Sequence, residues 1–201
     1  MHLVLLAALG CNSVSGKIDE HAVSVHTAAM MEYELDGADD YIVIAMASHG
    51  MDCEEWADFN DDFWDEVTDL DFEGAEELWE EKLPEDWWQI IIRMRVDDVD
   101  DRADKVDYDP VDWDDGLSED GDTKIFASHY TEWIDKDEYD TWGPDQDYAG
   151  DEGSLKIKSH KPGGKISGTY KTMMVDDDGD DEGQVTVRFS ADHCESLEDW
   201  F

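Results

Sequence analysis

Hard oxygen ligands for a metal ion are concentrated in one run near the C-terminus. Residues 176–182 are Asp-Asp-Asp-Gly-Asp-Asp-Glu. Carboxylate oxygens are the ligands that Ca²⁺ prefers, but this run lacks the EF-hand spacing, in which acids at positions one, three and five precede a glycine at six and a glutamate at twelve. We expect a solvated acidic turn with loosely held counterions, and no cofactor. The alternative is a calcium site whose ligands are Asp176, Asp178, Asp180 and Glu182.

No motif for a catalytic site is recognisable in this sequence. A glycosidase needs two carboxylates about 5–10 Å apart in a cleft, and 56 acidic residues offer no means of selecting a pair. The seven histidines form no His-x-x-x-His motif, and there is no Cys-x-x-Cys motif, so no structural zinc site is expected. No nucleophile elbow or phosphate-binding glycine loop is present. We predict a non-enzymatic protein, with an unrecognised hydrolase as one alternative.

The N-terminus has the character of an export signal. An apolar run, residues 3–9, leads into Ala8-Leu9-Gly10-Cys11, and polar residues follow. The run is too short for a transmembrane helix, which needs about 20 apolar residues. The motif resembles the lipobox of bacterial lipoproteins. It departs from that family in having no Lys or Arg before the apolar run, which predicts a truncated signal, and in having Ala8 where leucine is more common.

The lipoprotein resemblance implies a location and an anchor. Residues 1–10 would be the signal peptide, Cys11 the lipidated residue, and 11–20 the lipidated cysteine with a polar tether. The protein would then lie in the cell envelope, anchored through the lipid on Cys11 to a bacterial membrane, on the periplasmic or the surface side. The alternative is that residues 3–9 form a buried first strand and Cys11 is an ordinary thiol.

The chain has three cysteines, so lipidation of Cys11 leaves two, Cys53 and Cys194, which can pair. A secreted protein with an odd number of cysteines would otherwise carry a free thiol. A disulfide between them would close a loop of about 140 residues, for which the chain-entropy model gives about 4–5 kcal/mol. An oxidising compartment permits this bond. The alternative is two buried free thiols, since free cysteine packs as a small hydrophobe.

The charge of this chain is extreme, at −42 for 201 residues. Self-repulsion on this scale destabilises a compact state unless salt screens it, which indicates adaptation to high salt. Nucleic acid is excluded as a partner, because we expect no face to be broadly basic. For the same reason we expect the lipid, rather than charge, to hold the protein at a membrane. With 40% hydrophobic residues and 9 Trp the chain is predicted to fold.

Residues 21–201 are predicted to form a single β-rich domain. The fold class is mainly β, an antiparallel β-sandwich or barrel-like sheet with one or two packed helices at about 53–83. Asp52 and Glu55 have the spacing of a capping box, followed by an apolar stripe with helical period. Period-two patterns predict strands, and the acidic stretch 97–122 is predicted to be a solvated loop. The predicted strands are 23–35 with its odd positions buried, 41–47, 87–96, 124–134, 155–159, 166–174 and 185–191.

The last third of the chain carries a second resemblance. Gly153-Ser154-Leu155-Lys156-Ile157 and Ile166-Ser167-Gly168 are similar to the C-terminal hairpins of predicted bacterial lipoproteins of uncharacterised function. The resemblance implies a β-sandwich or barrel module without a known activity.

Five of the ten lysines fall within residues 156–171. They could form a basic stripe that receives an acidic partner, but we favour lysines that prevent aggregation between strand edges. Taken together, the sequence predicts a lipid-anchored, exported interaction or structural module of unknown specific activity. Its partner would be a protein or a carbohydrate, and the main alternative is a calcium-stabilised carbohydrate- or ligand-binding module.

Overall fold

The described residues of the computed structural model form ten strands, α-helical segments that include residues 61, 74 and 78, and one 3₁₀ turn. The structure describes residues 13–18, 21–22, 25–34, 40–48, 50, 52–58, 61, 74, 78, 87–100, 103, 107–111, 124–133, 146–176 and 181–198. The strands are β1 Ser13–Ile18, β2 His21–Ala22, β3 Thr27–Tyr33, β4 Asp40–Ala47, β5 Trp87–Val96, β6 Asp107–Pro110, β7 Ile125–Trp133, β8 Gln146–Lys161, β9 Lys165–Val175 and β10 Asp181–His193. Residues 53–58 are α-helical, and Glu195–Leu197 form a 3₁₀ turn.

The strand pairings close into a ring. Starting from β10, the ring passes through β3, β4, β5, β7, β8 and β9 and returns to β10. β1 adds to β10 beside the ring, and β6 lies between the ends of β7 and β8. The predicted β-rich, barrel-like fold is therefore confirmed. The sheet is mixed rather than purely antiparallel, since β10 pairs with β3, and β6 with β7, in parallel.

Alternate residues of the seven ring strands fill the interior of the ring. The alternation predicted for β9 and β10 is confirmed, and β5 is a central strand with Ile91 buried on its other face as well. Burying such apolar surface is the dominant favourable term in folding. The largest side chains of this core are those of Trp88, Tyr108, Phe126, Tyr130, Tyr148, Tyr170 and Phe189.

Both faces of β3 are buried, although the sequence predicted one. The odd positions Ala29 and Met31 are buried as predicted, but Met30 is the β3 residue buried in the ring interior. Ala29 and Met31 are buried on the outer side, where they pack with Trp56 of the short helix. Both faces of β3 are apolar because one lines the ring and the other lies under the helix, so alternation alone could not distinguish them.

Two segments predicted to be irregular contain strands. Within the acidic stretch 97–122, β6 pairs with β7 and β8, and its Tyr108 is buried in the core. A single aromatic ring buries about 150–250 Å², enough to fix a short strand that has no periodicity of its own. Part of the segment 11–20, expected to contain a polar tether, is likewise a strand, since residues 13–18 form β1 against β10.

Candidate functional site

The short helix is positioned by the capping box that the sequence predicted. The Asp52 backbone N–H donates to Glu55 Oε2 at 3.0 Å, and the Glu55 N–H donates to Asp52 Oδ1 at 3.0 Å. These two bonds satisfy amide groups that the first helical turn leaves without partners. They start the helix at Cys53 and direct Trp56 onto the outer face of β3 and β4.

A disulfide fixes this helix to the ring. Cys53 and Cys194 are bonded, with their Cα atoms 5.6 Å apart, which confirms the predicted pair. Cys194 directly follows β10, and its backbone N–H donates to Met30 O at 2.8 Å. The bond therefore joins the helix to the closure of the ring between β10 and β3.

The ring interior is filled rather than hollow among the described residues. Tyr170 is fully buried and donates from its hydroxyl to Ser128 Oγ at 2.8 Å. Burial raises the pKa of Tyr170 well above its usual value, and the hydrogen bond with Ser128 offsets only part of this shift. A Cβ at Gly150 would overlap Ser128 Oγ, so the interior has no room there even for a methyl group.

A cluster of acid and imidazole groups lies at one end of the ring. β3, β8 and β10 run in the same direction, as their pairings require, so their C-terminal ends meet there. Glu32 comes from β3, His160 from β8 and His193 from β10. Glu32 and His160 are largely removed from solvent, with side chains 9% and 0% exposed.

Glu32 is the hub of this cluster. Its Oε1 lies 2.8 Å from His160 Nε2, and its Oε2 accepts the Gly163 backbone N–H at 2.7 Å. Gly163 has φ +58°, in the left-handed region that glycine adopts at no steric cost. The tight β8–β9 turn can therefore direct its amide at the carboxylate, and one buried side chain ties β3 to the β8–β9 hairpin.

The tautomer of His160 follows from its two partners. The Ala103 backbone N–H donates to His160 Nδ1 at 3.0 Å, so Nδ1 carries no proton. Nε2 must then carry the proton and donate to Glu32. His160 is thus a neutral imidazole that connects Ala103, which follows β5, to the Glu32 carboxylate.

His193 is the member of the cluster that reaches solvent. Its Nε2 is 3.1 Å from Glu198 Oε1 and 3.6 Å from Glu32 Oε2, and its side chain is 19% exposed. These three residues, with Glu34 and Asp100, line an open cleft of about 500 Å³. The cleft thus presents two carboxylates on either side of one imidazole nitrogen, an arrangement suited to binding a cationic group or to acid–base chemistry.

This cluster had no signature in the sequence. Its histidines are 33 positions apart, and Glu32 is 128 positions from His160. His193 precedes Cys194 in the chain, and the structure places Cys194 in the disulfide. Only the meeting of three strand ends brings Glu32, His160 and His193 together.

A second surface feature is basic. We define the basic face as residues 154–159 of β8, 167–171 of β9 and 186–190 of β10, which are adjacent in register. These segments contain no Asp or Glu. The exposed cations of the basic face are Lys156, Lys158, Lys171 and Arg188. The four cations are adjacent because β9 lies between two strands that place their cations beside its own. They form a local patch rather than a broadly basic face, so the exclusion of nucleic acid as a partner stays a prediction.

The lysines of this region are not confined to strand edges. Lys171 lies in β9, which is paired on both sides, so protection of an edge does not explain it. Lys156 pairs with Asp107 at 3.3 Å, and Lys165, just beyond the basic face, pairs with Asp192 at 3.0 Å. Both are exposed pairs, each worth about 0–1 kcal/mol.

Several predicted site residues fall wholly or partly outside the described part of the chain. This holds for Cys11, for Asp178 and Asp180, and for the side chain of Glu182; Asp176 follows β9 and is half-buried. No group of three or more His, Cys, Asp or Glu suited to a metal ion occurs among the described residues. The calcium site and the lipidation of Cys11 both stay predictions.

Within the described ranges, no helix has the length and apolar character needed to cross a membrane. No protein-family model, curated protein or solved structure matches this chain.

Proposed function

We propose that this chain is an exported, lipid-anchored interaction or structural module without catalytic activity, adapted to a salty medium. The single observation that carries the proposal is the Cys53–Cys194 disulfide. Disulfides of this kind persist in oxidising compartments and are rare where thiols are kept reduced. Export and the lipobox-like motif ending in Cys11 then support one another.

The form of the core supports a binding role at the surface. Aromatic side chains fill the described ring interior, as in a packed β-barrel core rather than a ligand-holding one. Recognition would then involve the outer surface or the open cleft beside His193. A module of this type presents surfaces to partners, and its rigid ring keeps those surfaces in fixed positions.

Charge supports adaptation to salt. The chain carries 56 acidic and 14 basic residues, and the Debye length falls from about 10 Å at 0.1 M salt to about 3 Å at 1 M. Repulsion among acidic segments is therefore a cost that molar salt largely removes.

Intact-mass analysis of the protein from its native membrane fraction tests the proposal. We expect a chain that begins at Cys11, carries added acyl mass and has Cys53 and Cys194 oxidised. The Cys11→Ala variant should be lost from the membrane fraction. An unprocessed chain without acyl mass, or a Cys11→Ala variant that still fractionates with membranes, would contradict the proposal.

A hydrolase is the second candidate, and one observation favours it. Glu32 and Glu198 both approach His193 Nε2 at the cleft, and carboxylates at a cleft are the groups that glycoside hydrolysis uses. Assays on a panel of aryl glycosides test this candidate. Glu198→Gln should abolish any turnover, whereas Glu195→Gln, an exposed change in the 3₁₀ turn that precedes Glu198, should leave it unchanged.

A further inference from the structure

We propose that the basic face lies against the anionic headgroups of the membrane that holds the lipid on Cys11. This inference rests on the proposed lipid anchor and adds an orientation to it. The anchored chain would present one particular side to the bilayer and direct its acidic surface away from it. The partner is thus an anionic phospholipid surface.

The first argument is the position of the anchor relative to the basic face. Ser13 of β1 is in register with Arg188 of β10, and Arg188 is in register with Thr169 and, beyond it, Lys156. Cys11 precedes Ser13 by two residues, which span at most about 7 Å. A lipid on Cys11 therefore enters the bilayer next to the row that contains Arg188 and Lys156.

The second argument is charge. Four of the 14 Lys and Arg residues lie on the basic face, and one of them, Lys156, pairs with Asp107 of the neighbouring β6 at 3.3 Å. The lipid supplies the affinity that a chain with net charge −42 could not obtain from an anionic surface. Charge then selects the orientation, because the basic face attracts the headgroups within a Debye length, which is about 8 Å at physiological salt and about 3 Å at 1 M.

The third argument is the chemistry of the outward side chains. Ser154, Ser167, Thr169, Thr186 and Ser190 are partly exposed between the cations. The apolar residues of the same segments, such as Leu155, Val187 and Phe189, are buried in the core. A protein partner needs an apolar or aromatic centre to its interface. Cations interleaved with hydroxyls instead match phosphate and glycerol groups.

A single lipid anchor and a basic patch are two signals that reinforce each other. Each cation near an anionic surface changes the partition by about fivefold. Four cations on one side are enough to favour one orientation over the others.

Lysine footprinting of the lipidated full chain tests this orientation. The protein is reconstituted in vesicles of phosphatidylglycerol with phosphatidylcholine, in vesicles of phosphatidylcholine alone, and in neutral detergent. It is then acetylated with an amine-reactive reagent and analysed by peptide mass spectrometry. We expect Lys158 and Lys171 to label at least about fivefold more slowly on the anionic vesicles than in detergent. The exposed Lys124, outside the basic face, should label equally in both.

Each other result has a definite meaning. Equal labelling in all three preparations, from protein that floats with the vesicles, refutes the orientation and leaves the lipid anchor standing. Protection that persists on the neutral vesicles shows that headgroup charge does not set the orientation, and also refutes it. A chain that does not float refutes the anchor and the orientation together. Lys171→Glu should remove the protection of Lys158, and Lys124→Glu should not.

Discussion

Replacing Glu32 with Gln should destabilise the fold more than any other single isosteric change at the end of the ring where the cleft lies. The carboxylate accepts one hydrogen bond at each oxygen, from His160 Nε2 at 2.8 Å and from the Gly163 amide at 2.7 Å. An amide in the same position has one acceptor and one donor. Its NH₂ group would therefore face one of these two donors.

The size of the effect follows from these two bonds. Hydrogen bonds to a charged group contribute about 1.5–3 kcal/mol, and a buried donor left without a partner costs about 1–3 kcal/mol. In Glu32→Gln, one of the two hydrogen bonds has a neutral acceptor and is weaker, and the other is lost. We therefore expect the free energy of unfolding to fall by about 3 kcal/mol. For a chain of this size that corresponds to about 6–12 °C in melting temperature.

Urea unfolding of the oxidised protein at neutral pH and constant salt, followed by tryptophan fluorescence, measures this change. Glu34→Gln is the matched control, since it removes the same charge two residues away at an exposed position. If the two variants unfold within about 0.5 kcal/mol of each other, the range of ordinary surface substitutions, Glu32 is not the hub that its contacts indicate.

Three other predictions concern stability. The melting temperature should rise steadily from low to molar NaCl, because salt screens repulsion in a chain with net charge −42; a flat profile would contradict this. The double variant Cys53→Ser, Cys194→Ser should lose about 4–5 kcal/mol in urea unfolding, as expected for a disulfide that spans 141 positions, and equal stability would show that the bond does not constrain the unfolded chain. Because burial raises the pKa of Tyr170 in the folded state, its stabilising contribution is complete below about pH 10 and falls as the pH rises beyond that. Tyr170→Phe should therefore show a smaller loss of unfolding free energy above pH 10, and an unchanged slope would refute this role of Tyr170.

Local patterns in the sequence predicted the elements with strong periodicity. The alternation in β9 and β10, the apolar character of β5 and the capping box at Asp52 each depend on residues close together in the chain. The disulfide was predictable by a different route, from the parity of the cysteines, because the pair that remains after Cys11 has one possible connection.

Short or two-sided elements were not predictable in the same way. β6 has four residues and lies in an acidic stretch, so only its pairing with β7 and β8 identifies it. β3 is apolar on both faces, and the choice of Met30 for the ring interior depends on the helix that covers the other face.

The sequence by itself determined composition, charge, the cysteine pair and the β-rich class, because these depend on residue types and on spacing along one strand. Tertiary structure decided which charges meet. Closing the ring brings the C-terminal ends of β3, β8 and β10 together, and this creates the cluster of Glu32, His160 and His193. The same register aligns cations from three strands on one face of an otherwise acidic chain. Such long-range proximity follows from strand order and register, which no local pattern encodes.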